Sequence, residues 1–329
     1  MKARLALAIL LIGTLLTPLT SVAAPNLRVG VAYDIGGRGD KSFNDATAAG
    51  LEKAHKEFNF TLEAVVTDGT SSDREKRIRT LITKNCNPII AIGSGYASTL
   101  QILAVEYPDT HFAIVNDASV PLLNVTSLVF ADIQGAYLAG FSAAQVSKTG
   151  KVAMIANTDQ ADLFKNGFSA GVFASKKKVI PIVKYVSGSY AIATNQVIKA
   201  GADVIFVATQ GSDSAILGAI VLRNAKKKKG PTIGFINIEP DQYVSVTDST
   251  KKFLIASVIK RVDKAIYDVV ALSVADRQYL DILDADAGIY GRSYGIAGGG
   301  IEFAVFSRGL VLQADEINKA AALAEKLSR

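Results

Sequence analysis

Short β-branched runs that alternate with amphipathic helical stretches constrain the fold of this chain more than any other feature. In the first half, the predicted strands are residues 27–34, 61–66, 89–93, 112–115 and 127–130. Helical periodicity separates them at residues 43–58, 73–84 and 96–107. This alternation is typical of parallel sheets that are covered by helices.

The same alternation starts again after residue 130, where strands are predicted at residues 151–156, 179–186, 203–208, 232–236 and 252–257. Helices are predicted at residues 135–147, 161–174, 191–200, 214–224 and 263–275. Two such series in a chain of 329 residues predict an α/β protein of two doubly wound parallel-sheet lobes joined by a hinge. We assign residues 25–130 plus 258–287 to the N-terminal lobe. Residues 131–257 plus 288–329 form the C-terminal lobe.

The first 24 residues have the pattern of an export signal. Lys2 and Arg4 precede an apolar run at residues 5–16, and small residues follow at 21–24. This pattern predicts a signal peptide, with an uncleaved N-terminal anchor as the alternative. We therefore expect an exported protein of the cell envelope, periplasmic or on the outer face of the membrane.

Composition excludes several classes of protein. Hydrophobic residues make up 49% of the chain and charged residues 20%, so a packed core is expected rather than disorder. With a single cysteine, Cys86, and two histidines, the chain has neither an intrachain disulfide nor a zinc site. The lysine runs 176–178 and 226–229 lack interleaved aromatic residues, so a solvated face is favoured over a nucleic-acid site.

The clearest candidate site follows the first predicted strand. Asp34 ends that strand, and Phe43 and Asn44 begin the next helix, with Ser42 and Asp45 spaced as a capping box. In open parallel sheets, ligands bind at the carboxyl ends of the strands. An aromatic face, a carboxylate and an amide suit a planar, hydrogen-bonding ligand. The alternative is a capped turn with Phe43 in the core.

Other predicted strands also end in polar or small residues. Because these ends should surround one crevice, their shared position matters more than any one of them. The segments are 93–96, 116–117, 210–213, 239–242 and 257–260.

Several of these segments carry a family resemblance. Residues 34–44, read as D-x-G-G-x-x-D-K-S-F-N, resemble the opening motif of the basic membrane protein family of transporter substrate-binding lipoproteins, which includes the purine nucleoside receptor. The likeness continues, in the same order, at residues 106–109, 112–115, 134–140, 201–206, 241–243 and 257–263. It spans nearly the whole chain after residue 24.

This resemblance implies a type I periplasmic-binding-protein fold that closes on a nucleoside and serves the permease of an ABC transporter. It also implies a monomer without cofactor, metal or nucleic acid. By similarity, Phe43 stacks on the base, and Asp34, Asn44 and the pair Asn116 and Asp117 bond its edge. Glu239 and Lys260 bind the ribose, and Ser42, Gly211 and Asp241 are further candidates.

The chain also departs from the family pattern. No lipid-attachment cysteine follows the apolar run, Asn116 stands where an acid is usual, and Glu239 replaces a shorter acid. Two other functions stay open on the residues alone. One is a binding protein for another small polar ligand such as a sugar. The other is a secreted nucleoside-processing enzyme, although no nucleophile motif supports catalysis.

Overall fold

A computed structural model describes residues 27–157, 161–209, 213–226, 229–238 and 246–327. Two sheets organise these residues into two lobes, as predicted. The first sheet has the order β11-β12-β5-β4-β3-β1-β2, and every neighbouring pair is parallel except β11 with β12. Its strands are β1 (Arg28–Tyr33), β2 (Thr61–Val66), β3 (Ile89–Ile92), β4 (Phe112–Val115), β5 (Val125–Phe130), β11 (Ile282–Asp284) and β12 (Ile289–Tyr294).

The second sheet has the order β13-β10-β9-β8-β6-β7, and only β13 runs antiparallel to its neighbour among these described strands. Its strands are β6 (Lys151–Ala156), β7 (Ile180–Tyr185), β8 (Val204–Ala208), β9 (Gly234–Ile238), β10 (Leu254–Lys260) and β13 (Ile301–Val305). Strands β8 and β9 are buried along their whole length, because helices cover both faces of the sheet.

Helices pack on both sheets through apolar stripes. The first lobe has α1 (Phe43–Glu57), α2 (Ser71–Thr83), α3 (Ala97–Glu106) and α9 (Val262–Val274). The second has α4 (Asp132–Val146), α5 (Ala161–Ala174), α6 (Tyr190–Lys199), α7 (Asp213–Ala225), α8 (Asp248–Lys251), α10 (Arg308–Val311) and α11 (Ala314–Ala324). In α1 the buried residues Thr47, Gly50, Leu51 and Ala54 follow helical spacing, as the sequence predicted.

The helix pair α4 and α5 packs backbone against backbone. A Cβ atom built on Gly171 would lie 1.9 Å from the Tyr137 carbonyl oxygen, and one on Gly140 would lie 2.1 Å from the Phe168 carbonyl oxygen. Only glycine permits such an approach. Sequence periodicity placed both helices but carried no sign of this contact.

The chain passes between the sheets at Ala131, at Arg261 and through residues 295–300. These passages lie side by side: Ala131 N donates to Tyr294 O at 3.0 Å, and Arg261 N donates to Gly300 O at 2.9 Å. Adjacent short segments of this kind are the usual form of a hinge.

Two of the predicted lobe boundaries differ from the structure. We expected crossings at 257/258 and 287/288, but β10 continues in the second sheet to Lys260. Strand β12 lies beyond residue 287 and pairs with β5 in the first sheet. Local sequence pattern cannot show these crossings, because the sheet that a strand joins depends on partners far away in the chain.

Two other features bear on the expectations from composition. Cys86, the single cysteine, is a free thiol buried in the core of the first lobe. Among the described residues, every helix is too short or too polar to span a membrane.

Candidate functional site

A cavity of about 250 Å³ opens at the carboxyl ends of β1, β3 and β4. The strand ends Asp34, Gly93 and Asn116 contribute to its wall, together with Phe43 from the start of α1. The remaining lining residues are Ile35, Asp40, Ser42, Asn44, Ile92, Ser94 and Gly95. The structure therefore brings most of the first-lobe residues singled out from the sequence to one place.

Carboxylates order the loop that leads from β1 to α1. Asp40 accepts hydrogen bonds from the backbone N–H groups of Ser42, Asn44 and Asp45 at 2.8, 3.0 and 3.1 Å. Asp45 in turn accepts from the N–H of Gly39 at 2.7 Å. Asp40 thus satisfies the first N–H groups of α1.

The predicted capping box is wrong in its residues. The Ser42 side chain makes no capping hydrogen bond, and the Asp45 carboxylate turns to the preceding loop. Asp40 replaces Ser42 because left-handed backbone at Gly39 and Lys41 turns the loop back over the helix start. The cap was therefore decided by loop conformation, not by spacing alone.

Asn44 is buried and holds the strand end to the helix start. Its Oδ1 accepts from Asp34 N at 3.0 Å, and its Nδ2 donates to Asp34 O at 3.4 Å. Both ends of the amide are thus engaged with the backbone. In this conformation Asn44 positions Asp34, so its expected contact with a ligand stays a prediction.

Asp34 is positioned by a residue that the sequence interpretation missed. Arg74, from α2, donates to Asp34 Oδ1 at 3.0 Å and to Gly69 O at 2.5 Å, and it lies over the ring of Tyr96. The Asp34 side chain is 38% exposed, so it still faces solvent from the cavity wall. Arg74 lies on α2, a mostly polar helix, and no local sequence motif indicated that it would reach the site.

Tyr96 also stabilises the carboxyl end of β1. Its hydroxyl donates to Tyr33 O at 2.9 Å. Burial raises the pKa of the Tyr96 phenol, with the nearby Asp34 carboxylate acting in the same direction. The phenol therefore remains a hydrogen-bond donor at neutral pH.

A buried lysine lies between the lobes. Lys260, the last residue of β10, is 2% exposed. Its Nζ lies 2.8 and 3.0 Å from the two carboxylate oxygens of Asp132 and donates to Asn116 Oδ1 at 3.2 Å. The ring centroids of Phe43, Phe130 and Phe164 all lie about 6 Å from this ammonium group.

Asp132 was not predicted as a site residue. It starts α4, two residues after β5, where the sequence interpretation began the helix at residue 135. As the carboxylate nearest to Lys260, it compensates the buried ammonium charge. An acid directly after a predicted strand end was the available signal.

Lys260 also determines how Asn116 presents its amide. An ammonium group only donates hydrogen bonds, so the Asn116 oxygen must face Lys260 and the NH₂ group must face away. Asn116 holds a left-handed backbone conformation (φ 63°) at the end of β4 and lines the cavity. The site therefore offers a donor at this position, where a carboxylate would offer an acceptor.

Asp117 does not share this position. Its carboxylate accepts from Ser119 N at 2.8 Å and from Ser119 Oγ at 2.6 Å, which forms a local turn. It is not among the described residues that line the cavity. The structure thus gives Asn116 and Asp117 different surroundings, although both were expected to bond the edge of the base.

Three predicted residues, Gly211, Glu239 and Asp241, lie outside the described residues. The described part of the second lobe presents Tyr190 at the start of α6, and its hydroxyl donates to Asn157 Oδ1 at 2.7 Å. Both residues follow carboxyl ends of strands in the second sheet. They are candidates that the sequence interpretation missed.

The described residues contain no group of three or more His, Cys, Asp or Glu that could hold a metal ion. The polar side chains that line the cavity are two carboxylates, two amides and two hydroxyl groups, from Asp34, Asp40, Asn44, Asn116, Ser42 and Ser94. Together with the Phe43 ring, this arrangement can bind a planar ligand by stacking and hydrogen bonds.

The chain is similar to known proteins of one family. The model of a family described as "ABC transporter substrate-binding protein PnrA-like" matches residues 27–309. The chain is 26% identical over 259 residues to the ABC transporter nucleoside-binding protein BmpA of Lactococcus lactis, covering 74% of each chain. It is 29% identical over 269 residues to a CD4+ T-cell-stimulating antigen of Listeria innocua, covering 75% of this chain and 73% of that protein.

Solved structures confirm the predicted periplasmic-binding-protein fold. An ABC transporter solute-binding protein from Aeropyrum pernix superposes with a TM-score of 0.67 at 21% identity, over 91% of this chain and 85% of that chain. A transcriptional activator of the comK gene from Bacillus halodurans superposes with a TM-score of 0.72 at 20% identity, over 92% and 99%. At these identities the likeness concerns the fold alone.

Proposed function

The chain belongs to the PnrA-like family of ABC transporter substrate-binding proteins, and we propose that it binds a nucleoside between its two lobes. The observation that carries this proposal is the cavity where Phe43, Asp34 and Asn116 converge at the strand ends of the first lobe. A relative named as nucleoside-binding supports the same ligand class.

In this proposal Phe43 stacks on the base. Its ring is partly buried at the start of α1, packs on the core with one side and lines the cavity. Stacking between a base and an aromatic ring contributes about 1–3 kcal/mol. The family role and the core role of Phe43 are thus compatible.

The polar groups would select the edge of the base. Asp34 offers an acceptor, and the outward NH₂ of Asn116 offers a donor. A ligand edge with an N–H beside a carbonyl oxygen, as in a 6-oxopurine, matches this pair. We therefore propose inosine and guanosine ahead of adenosine.

We also propose that Glu239 and Lys260 hold the ribose, with Gly211, Asp241 and Ser42 as further contacts of the ligand. Lys260 already binds Asn116 and Asp132, so it also couples the sugar site to the base site. A polar pair built for hydroxyl groups disfavours a ligand that lacks them, because the pair is then left without partners.

The cellular role follows from the family. We propose that residues 1–24 direct export, that the protein acts as a monomer in the cell envelope, and that an ABC permease receives the ligand. We also propose that it binds without catalysis. Incubation with inosine should then return intact nucleoside; release of the free base would instead favour a nucleoside-processing enzyme.

Calorimetric titration tests the ligand class. The panel contains inosine, guanosine, adenosine, 2′-deoxyinosine, hypoxanthine and ribose. We expect the ribonucleosides with a 6-oxo group to bind most tightly, the deoxynucleoside more weakly and the free base weakest. Binding of ribose or another sugar without binding of any nucleoside would contradict the proposal and favour a sugar-binding protein.

Phe43→Ala tests the stacking role. We expect its affinity for inosine to fall about 5- to 150-fold while the fold is retained. The matched control is Phe58→Ala at the other end of α1, whose ring packs on Tyr267 at 5.8 Å from centroid to centroid. The control should lose stability but not affinity. Normal binding by Phe43→Ala with a lowered melting temperature would mean that Phe43 is only a core residue.

A further inference from the structure

Lysines lie at or just before the amino end of every parallel strand of the second sheet. Strands β6 to β10 are mutually parallel, so their amino ends lie together on one side of the lobe. Their carboxyl ends, which Asn157 and Tyr190 follow, lie on the opposite side. The lysines at the amino ends are Lys148 and Lys151 before and at the start of β6, Lys176 to Lys178 before β7, Lys199 before β8, Lys226 and Lys229 before β9, and Lys251 and Lys252 before β10. We call them the lysine edge.

Most of these charges are not neutralised within the described part of the chain. Lys251 pairs with Asp248 at 3.3 Å, and Lys151 donates to Ala200 O at 3.0 Å. Lys148, Lys176 to Lys178, Lys199, Lys226, Lys229 and Lys252 are exposed and form no ion pair with a described residue.

Acidic residues also lie near this edge: Asp248 pairs with Lys251, the charge of Lys176 acts on Glu316, and Asp203 is already engaged. It is 3% exposed, and its carboxylate accepts from Ser147 Oγ and Lys148 N at 2.6 Å each and from Thr149 N at 3.1 Å. It therefore stabilises the turn before β6. The exposed charge of the edge remains positive.

Helix dipoles do not account for the lysine edge. Cations are favoured at helix C-termini, and these lysines follow helices. In the first lobe the corresponding stretches also follow helices. Lys56 lies in the last turn of α1, and residues 84–88 and 107–111 contribute one lysine, Lys84, which pairs with Glu63 at 2.7 Å. The same helix geometry thus exists in both lobes, and only one of them gathers lysines.

A groove of about 990 Å³ opens on the lysine edge. Lys148, Lys251, Lys252 and Arg308 line it, and Phe253 and Phe306 contribute apolar wall. A groove with cationic and apolar walls suits a ligand that combines an anionic group with hydrocarbon.

Exposed apolar side chains flank the lysines. Phe173, Ile180, Leu222 and Leu312 are 87%, 59%, 60% and 79% exposed. Phe173 precedes Lys176 by one helical turn, Ile180 follows Lys178, and Leu222 precedes Lys226 by one turn. Exposed apolar side chains of this kind insert among acyl chains. Phe173 is the one aromatic ring among these four, whereas a nucleic-acid site needs several rings interleaved with the cations.

We propose that the lysine edge is a docking surface for anionic phospholipid membranes, with the groove at Arg308 receiving a lipid phosphate. Each lysine near an anionic bilayer strengthens binding about fivefold, and the attraction weakens with salt. The second-lobe candidates Asn157 and Tyr190 follow the carboxyl ends of strands in this sheet, so a docked molecule keeps its crevice directed away from the bilayer.

The test uses the protein in the form recovered after export, mixed with vesicles of phosphatidylcholine alone or with an equal part of phosphatidylglycerol. Sedimentation measures the bound fraction. We expect binding to the anionic vesicles that weakens as salt is raised. Lys177→Glu with Lys178→Glu should weaken it roughly 25-fold or more. A control pair with the same change of net charge, Lys56→Glu with Lys76→Glu on the first lobe, should change it less than about threefold.

Equal loss in the two charge pairs would overturn the proposal, since net charge alone would then explain the binding. Tighter lysine-dependent binding to a random DNA duplex than to anionic vesicles would also overturn it. If the apolar N-terminal run carries the protein to every vesicle, amine-reactive labelling of the bound protein decides. Protection of Lys177, Lys178 and Lys226 on anionic vesicles only supports docking, and equal labelling on both vesicle types refutes it.

Discussion

The two lobes share one fold but differ in whether their charged side chains form ion pairs. In the first lobe charged residues pair with each other: Glu63 binds Arg28 at 2.8 Å and Lys84 at 2.7 Å, and Arg79 binds Glu106 at 2.7 Å. In the second lobe, except for Lys251, which pairs with Asp248, the lysines of the lysine edge form no ion pair with a described residue. Helix and strand formation do not require these clustered lysines. Their presence therefore points to a binding partner outside the chain.

The lobes also differ in how their helices meet. In the second lobe α4 and α5 touch along backbone, through Gly140 and Gly171. In the first lobe the close contact is between α1 and α9, where a Cβ built on Gly50 would lie 2.4 Å from Asp263 O. Since α9 directly follows the crossing at Arg261, the tight packing of the first lobe also secures the hinge.

The largest effect is expected where the lobes join. Lys260→Met leaves the Asp132 carboxylate buried without its cation, so the free energy of unfolding should fall by about 3–5 kcal/mol. The control Lys252→Met, in the exposed turn before the same strand, should cost less than about 1 kcal/mol. Urea unfolding measures both.

A double variant sharpens this result. Adding Asp132→Asn to Lys260→Met removes the stranded charge and should recover part of the lost stability. A small loss in Lys260→Met, equal to that of the Lys252→Met control, would mean that the buried pair does not hold the lobes together.

A smaller effect is expected from the helix contact of the second lobe. Gly171→Ala forces a methyl group against the Tyr137 carbonyl and should lower the free energy of unfolding by about 1–3 kcal/mol. Gly218→Ala on α7 is the control, because a Cβ there meets nothing within 4 Å. That control should gain up to about 1 kcal/mol from helix propensity. Thermal unfolding separates the two, and a neutral Gly171→Ala would show that the helices can move apart freely.

The smallest effect is a difference in acid sensitivity between the lobes. A hydrogen bond from Lys84 lowers the pKa of Glu63, and one from Arg79 lowers the pKa of Glu106, both in the first lobe. Because the folded pKa lies below the unfolded value of about 4.5, these pairs stabilise the fold above that pH. Their contribution disappears as the pH falls through the lower folded pKa.

Pepsin digestion at a series of acidic pH values checks this difference. First-lobe peptides should appear at a higher pH than second-lobe peptides, where Glu316 is the acid with a lowered pKa among the described residues. The simultaneous appearance of peptides from both lobes would show that they unfold as one unit and that ion pairing does not distinguish them.

Most of the fold could be predicted because helix and strand formation depend on local periodicity. The buried stripe of α1 and the fully buried strands of both sheets follow directly from residue spacing. The boundaries of β10 and the place of β12 could not, because strand pairing joins residues that are far apart in the chain.

The candidate site divides in the same way. Asp34, Phe43 and Asn116 were predicted because each lies at the end of an element that the sequence marks clearly. Their neighbours Arg74 and Asp132 were missed, because they reach the site from other elements. The Asp117 carboxylate was expected to serve the site but closes a local turn with Ser119.

The sequence by itself determined the two α/β lobes, the family and the strand ends that line the crevice, since each depends on short-range pattern and residue type. Tertiary structure alone decided which way the Asn116 amide faces, because the Lys260 ammonium that orients it arrives from the second lobe. It also gathered lysines from five separate loops onto one edge, since parallel strands bring together amino ends that lie far apart in the sequence.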